Sequence, residues 1–491
     1  MTQQTSAKTT ERTHRKSRRY GLLRYVGSIA MMALLTQPST ALDMEHLWVA
    51  NPDMVMEGAP VVVDLDGDGD DEIILAAREA VIAVDGDGQE LWRTATGGHH
   101  YSVCPAILER EDASPLIYAG NGEGTLTCLD GSGSVVWQTT ELVNISSTPA
   151  LADLDGNGTI ELIQGDQRET LGAFDALTGE VLWKTKVDGK VSGPSVADLD
   201  GDGQLDIVIS TGNGMVYALN AEGEVTWEFA MGGHARYWEI SCPVVFQTST
   251  GQMRIAVASG EERFYCLDSR GNLLWEAPMR GSVASGTSVG DFDADGRTDV
   301  FVVTQLGTLY RFDEDGYGLW DIDTQGRSLA AGAIIDVNGD GALEYVLCTQ
   351  RGNLLVFSNA GEVIYGHQFN NRTINVTTAF GDIVRDRPGL ELAVTGGESG
   401  QVFCIGTPAP VDAASRWRTY RGDNRMTGAF TGLTESGELR MTPENLSWDN
   451  ILTGEPVTFR ITNPSSEGSS LQATAACIGP VSYTHLTLPT N

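Results

Sequence analysis

Five stretches of this sequence set oxygen-bearing side chains at one fixed spacing. They are Asp64, Asp66, Asp68, Asp70 and Glu72; Asp153, Asp155, Asn157, Thr159 and Glu161; Asp198, Asp200, Asp202, Gln204 and Asp206; Asp291, Asp293, Asp295, Arg297 and Asp299; and Asp336, Asn338, Asp340, Ala342 and Glu344. Loop positions 1, 3, 5 and 9 always hold an oxygen ligand, and position 6 is always glycine (Gly69, Gly158, Gly203, Gly296, Gly341). Glycine admits the sharp turn that aims several oxygens at one point. Crowded anionic oxygens suit calcium, whereas zinc or copper would call for His or Cys. Position 7 varies freely, as it can if only its backbone carbonyl coordinates. A helix-flanked calcium loop closes with Glu at position 12, but those positions are Leu75, Gln164, Ile209, Val302 and Leu347. The closing carboxylate stands instead at position 9, where apolar runs such as Ile73-Ile74-Leu75 and Ile207-Val208-Ile209 begin a β-strand. The expectation is about five calcium sites. The alternative, ordinary acidic hairpin turns, fits Asp85-Gly86-Asp87-Gly88 better, because its ninth position is Arg93.

A second set of residues carries ligand chemistry. Gly97-Gly98-His99-His100-Tyr101 and Gly232-Gly233-His234-Ala235-Arg236-Tyr237-Trp238 lie at the same offset after Trp92 and Trp227. Their aromatic and basic side chains suit a sugar or an acidic ligand, and the competing reading is ordinary exposed loop. They belong to connections expected on the face opposite the acidic loops.

The elements that position these residues follow from a repeat. An aromatic residue ends a hydrophobic strand at Trp92, Trp137, Trp183, Trp227, Trp275, Trp320 and Tyr365, with gaps of 45, 46, 44, 48, 45 and 45. A period near ~45 residues suits a four-stranded propeller blade. In the fourth unit the strands are predicted at 194–197, 206–210, 215–219 and 224–228. Eight inner strands are predicted, beginning near Ala59, Cys104, Thr148, Gly193, Cys242, Gly286, Ala331 and Thr377. The fold expected is an eight-bladed β-propeller over 43–408, with seven blades as the alternative. The eighth unit lacks a fourth strand, and the unassigned strand around Trp48 should supply it and close the ring. Units two, five and eight lack a good acidic loop.

At the acidic loops the chain resembles the FG-GAP/VCBS calcium-binding propeller repeats. Ala173-Phe174-Asp175-Ala176-Leu177-Thr178-Gly179-Glu180-Val181-Leu182-Trp183 resembles the tryptophan-docking motif of PQQ-type propellers. The two resemblances imply the propeller fold, and the first implies calcium. They leave activity open, because both families host unrelated functions.

Outside the propeller, residues 1–41 read as a signal peptide. Seven bases precede the apolar run Tyr25 to Leu35 and the small residues Ser39, Thr40 and Ala41. Export by the Sec route is expected, with the twin-arginine route as an alternative on Arg18-Arg19. This implies a secreted, cell-surface or periplasmic protein. Residues 409–434 read as a linker or closing segment, and 435–480 as the opening of a truncated immunoglobulin-like β-sandwich. Residues 481–491 resemble the in-frame translation of a sequencing-library adapter.

The net charge of −34, from 32 bases and 66 acids, argues against nucleic acid as a partner. No other stretch approaches the ~20 apolar residues of a membrane span. The seven cysteines include no adjacent pair and no CxxC, so disulfides are not the main staple, and buried free thiols are expected. The functional expectation is a non-catalytic binding, adhesion or scaffold module for glycan or protein, with calcium as a structural ion. The enzyme alternatives are a calcium-dependent polysaccharide lyase and a PQQ-dependent dehydrogenase. No motif selects a base for the first, and the adjacent cysteine pair often found in PQQ alcohol dehydrogenases is missing.

Overall fold

A computed structural model describes residues 42–431, apart from 57, 101–103, 111–112, 233–240, 284–286, 329–330 and 370–377, together with three further strands at 440–443, 457–462 and 470–475. Residues 42–431 form eight sheets, each with four antiparallel blade strands and two with a fifth strand added at the inner edge, so the ring has eight blades. The innermost strands are Val61–Val63, Ala106–Arg110, Ala150–Ala152, Ser195–Ala197, Val244–Gln247, Ser288–Gly290, Ala333–Ile335 and Ala379–Gly381. Blade 4 matches its sequence reading closely, with strands Ser195–Ala197, Asp206–Ser210, Met215–Leu219 and Val225–Ala230.

Burial explains why each strand has its composition. The second and third strands of a blade are covered on both faces by neighbouring blades, so Glu72–Ala77 and Ala80–Val84 are buried throughout. The outermost strands alternate between exposed and half-buried residues, as Val181–Lys186 does, because one face looks outward.

The strand Glu45–Ala50 is the fourth strand of blade 8. It pairs antiparallel with Val402–Gly406, and Trp48 lies opposite Cys404. The ring therefore closes through the N-terminal strand, as the repeat arithmetic required.

Seven seams between blades share one contact. The indole N–H of Trp48, Trp92, Trp137, Trp183, Trp227, Trp275 and Trp320 donates to a carbonyl in a turn of the following blade, at 2.7–3.2 Å. Each ring also lies on a turn glycine. At Gly223, with φ +78°, a β-carbon would fall 2.5 Å from the Trp183 ring. The seam between blades 7 and 8 differs: Tyr365 replaces tryptophan, and His46, His367, Phe369 and Phe403 cluster there.

Within 409–434, read from sequence as a linker or closing segment, residues 414–430 run along the inner edges of the blades. Innermost strands carry unpaired backbone groups on their axial edge, and this segment meets them in succession. Trp417 pairs with Ile334 of blade 7, and Ala429–Phe430 adds a parallel strand to blade 5. The N–H groups of Ile107, Leu151, Val196 and Val245 donate to the carbonyls of Asn424, Arg425, Thr427 and Gly428 at 2.8–3.0 Å. Trp417, Arg421 and Met426 are buried.

Of the segment expected to open a truncated sandwich, the described residues Arg440–Pro443, Val457–Thr462 and Ser470–Ala475 form one three-stranded antiparallel sheet, and no second layer is seen among them. The signal-peptide and adapter readings lie outside the described residues. Among these residues no helix is long and apolar enough to cross a membrane.

Candidate metal loops and the axial site

All five acidic loops lie between the first and second strands of blades 1, 3, 4, 6 and 7, and their internal geometry repeats. The position-1 carboxylate accepts the N–H of the position-6 glycine at 2.9–3.1 Å in every loop. The position-5 oxygen accepts the N–H of position 7 at 2.7–3.1 Å. The position-9 carboxylate turns back to the N–H of position 2, at 2.8–3.1 Å. The glycine at position 6 has φ between +82° and +96°, a conformation that a side chain would strain. Position 9 opens the second strand, so strand pairing holds its carboxylate beside position 1.

Four acidic triads result that could hold a metal ion. Asp64, Asp66 and Glu72; Asp153, Asp155 and Glu161; and Asp198, Asp200 and Asp206 each bring ligand oxygens within 4.8 Å of one another. In blade 6 the convergent oxygens are those of Asp291, Asp293 and Asp295, without Asp299. Blade 7 has Asp336, Asp340 and Glu344, and Asn338 Nδ2 donates to Glu344 Oε1 at 3.1 Å. Oδ1 of Asp153 is buried without a hydrogen-bond partner, which suits a donor set shaped for a cation, and Oδ1 of Asp291 in blade 6 is likewise unpartnered. Burial pushes Glu72 and Glu344 up to about 7, and Asp206 up to about 6, with the neighbouring loop carboxylates adding to the rise. Glu161 is raised for the same reasons. These carboxylates repel one another, and a hard cation would relieve that repulsion.

Three arginines, one of them bonded to an acidic loop, escaped the sequence reading. Arg311, on the third strand of blade 6, donates to both oxygens of Asp299 at 2.8 and 2.9 Å and to Asp293 Oδ2 at 2.6 Å. Arg387 donates to Glu391 Oε1 at 2.6 Å in the blade 8 connection, which has no acidic loop of the repeated kind. Arg421, on the axis, donates to the carbonyls of Pro243 and Pro194 at 3.1 and 2.5 Å and to Ser195 Oγ at 2.8 Å, tying blade 4 to blade 5. Arg297, at position 7, points away from its loop toward Asp315 at 2.5 Å.

Where blades 2 and 5 lack acidic loops, the same face opens into two clefts of about 1270 and 1110 Å³. Asp64 and Asp66 line the first and Asp198 and Asp200 the second, and Asp423 of the axial segment lines both.

On the opposite face, His99 and His100 behave differently. The His99 ring stands 3.5 Å from Glu79 and is partly exposed. His100 is buried, and both ring nitrogens are engaged. Gly120 O can only accept, so Nδ1–H donates to it at 2.7 Å, and Nε2 accepts from the Thr96 hydroxyl at 2.6 Å. Burial lowers its pKa and favours this neutral form. His100 thus fastens the connection and does not present its ring on the face. Tyr101, His234, Arg236, Tyr237 and Trp238 lie outside the described residues.

The six cysteines among the described residues are all buried and free. Burial pushes Cys104, Cys128 and Cys348 up to about 12, so these thiols are inert.

The comparisons with known proteins agree with this architecture. The family profile described as outer membrane protein assembly factor BamB matches residues 77–228 and 212–420. The chain belongs to this family of PQQ-like repeat propellers. Among solved structures, BamB from Moraxella catarrhalis is 16% identical, over 74% of this chain and 98% of that one, with a TM-score of 0.52. Sqt1 of Saccharomyces cerevisiae is 10% identical over 75% of this chain and 100% of its own, with a TM-score of 0.59. The computationally designed Ika8 protein is 13% identical over 74% and 99%, with a TM-score of 0.53. At these identities the likeness is one of fold. No curated protein matches this sequence.

Proposed function

We propose that this chain is a calcium-stabilised propeller of the bacterial envelope or of the secreted fraction, serving as a non-catalytic scaffold or binding module for a protein or glycan. The observation that carries the reading is the fivefold recurrence of one loop geometry, in which strand pairing itself delivers the closing carboxylate. A cation held there links the first two strands of a blade, which is a structural role. Calcium is the ion because every side-chain donor is a hard oxygen and the acidic triads are carboxylate-only. The likeness to FG-GAP/VCBS repeats supports the same choice.

The family description, which names an outer membrane assembly factor, supports an envelope location and a protein partner. The axial segment bonds the inner strands and lines both loop-side clefts through Asp423. This favours the opposite face, with His99 and the connections that carry Tyr101, His234, Arg236, Tyr237 and Trp238, as the docking face. Glycan-array binding and envelope-protein cross-linking of the purified chain test this. A His99→Ala, Tyr237→Ala, Trp238→Ala variant should lose binding, and unchanged affinity would sink the assignment of that face.

A further inference from the structure

We infer that the guanidinium of Arg311 stands where blade 6 would hold its calcium ion, so that only the loops of blades 1, 3, 4 and 7 are loaded. The inference rests on the calcium reading proposed above and divides the five loops within it.

Register makes the substitution visible. The third-strand residue paired with the outer-strand aromatic residue is Ala83 in blade 1, Cys128 in blade 2, Ala173 in blade 3, Ala218 in blade 4, Cys266 in blade 5, Val356 in blade 7 and Cys404 in blade 8. In blade 6 it is Arg311, paired with Trp320. A small apolar residue leaves the region beneath the loop free, whereas the Arg311 side chain rises into it and is only 3% exposed.

Every nitrogen of that guanidinium is committed. Nε and Nη2 take the two oxygens of Asp299, Nη2 also takes Asp293, and Nη1 takes the side chain of Asn359 at 2.7 Å. Its carbon lies 5.0 Å from the centre of the Phe292 ring. Phe292 fills loop position 2, where the other four loops have Leu65, Leu154, Leu199 and Val337. Arg311 thus has a cation–π partner that no other loop would offer.

The consequence is seen in the carboxylates. In blades 1, 3 and 4 the closing carboxylate belongs to the convergent triad, but Asp299 is drawn away from it and the triad is completed by Asp295. An ion in blade 6 would have to share Asp293 with a fixed positive charge and do without the closing ligand. Blade 8 offers a parallel. Its buried Glu391 accepts the N–H groups of Ile383 and Val384 at 2.8 and 3.0 Å, as a closing carboxylate does, and carries the guanidinium of Arg387. The chain uses arginine to neutralise a closing carboxylate where it has no ion.

Metal analysis of the full chain, equilibrated with ~1 mM calcium and then desalted, tests this. We expect four ions in the unaltered protein, five in Arg311→Met and three in Ala218→Arg. Two conservative variants guard against misfolding: Asp299→Asn should keep all four ions, and Asp206→Asn should lose one. Five ions in the unaltered protein, or loss of an ion in Asp299→Asn, would overturn the inference while leaving the calcium reading intact. A count of four in a folded Arg311→Met would also overturn it. No bound calcium in any variant would overturn the calcium reading itself.

Discussion

At the rim of the ring, seven seams are held by a neutral indole N–H on a carbonyl and by a ring stacked on glycine, whereas around the axis the inner ends of the blades meet charge. There the acidic loops crowd their carboxylates, Arg311 pairs with Asp299 and Asp293, Arg387 pairs with Glu391 of blade 8, and Arg421 bridges two blades. These seven indole contacts carry no titrating group of their own and need no ion, and among the rim seams only that between blades 7 and 8, with His46 and His367, differs. The axial contacts depend on pH and on cations. The fold therefore separates a part that is indifferent to solution conditions from a part that responds to them.

The largest effect should come from breaking the rim. Deleting residues 42–50 removes the outer strand of blade 8 and with it the Trp48 bond to Gly86, exposing a strand edge and apolar surface. The expected result is loss of the cooperative melting transition by circular dichroism. A transition within a few degrees of the full chain would show that the N-terminal strand does not close the ring.

At the axis, Arg421→Met should destabilise by about 3 kcal/mol in urea unfolding. It leaves the carbonyl of Pro194 buried without its donor and the carbonyl of Pro243 with only the Ser195 hydroxyl. A loss below about 1 kcal/mol would mean that water enters and satisfies them.

A single seam should matter less. Trp183→Phe keeps an aromatic ring but loses the bond to Ala221, at about 1–2 kcal/mol. That loss should be the same in calcium and in EDTA, and a loss that changes with chelator would dissolve the contrast between rim and axis.

The pH response sharpens the contrast from the other side. Glu72 and Glu344 titrate near 7 and Asp206 near 6, above their ordinary values of 4.5 and 3.8. Between the ordinary and the raised values the folded chain holds more protons than the unfolded chain, so stability falls as pH rises and the penalty is complete above about 7. In EDTA the chain should melt higher at pH 5 than these groups allow at pH 8. Calcium competes with the same protons, so the rise in melting temperature on adding calcium should be larger at pH 8. An equal rise at both values would contradict the role given to the closing carboxylates.

The rim was legible in the sequence because it repeats. The period of Trp92 to Tyr365, the turn glycines and the spare strand at Trp48 together defined eight blades and their closure. The acidic loops were legible for the same reason. The axis was not, because residues 414–430 occur once and their partners are the edges of inner strands often only three residues long, too short to show alternation. Arg421 reads as one base among several until its burial is seen. Arg311 had a faint signal: it stands nine residues before Trp320, where Ala218 stands before Trp227 and Cys266 before Trp275. His100 misled because adjacent histidines on a glycine-rich loop look exposed, yet one of them turns inward to satisfy Gly120 and Thr96.

Melting the full chain at pH 8 in ~1 mM calcium and again in EDTA, with metal analysis of the same sample, tests the central claim most directly. Calcium should raise the melting temperature, with each site whose Kd is hundredfold below the free calcium concentration contributing up to about 2.7 kcal/mol. The gains from coupled blades need not sum. An unchanged melting temperature with fewer than three bound ions per chain would contradict the account and leave the loops as acidic turns.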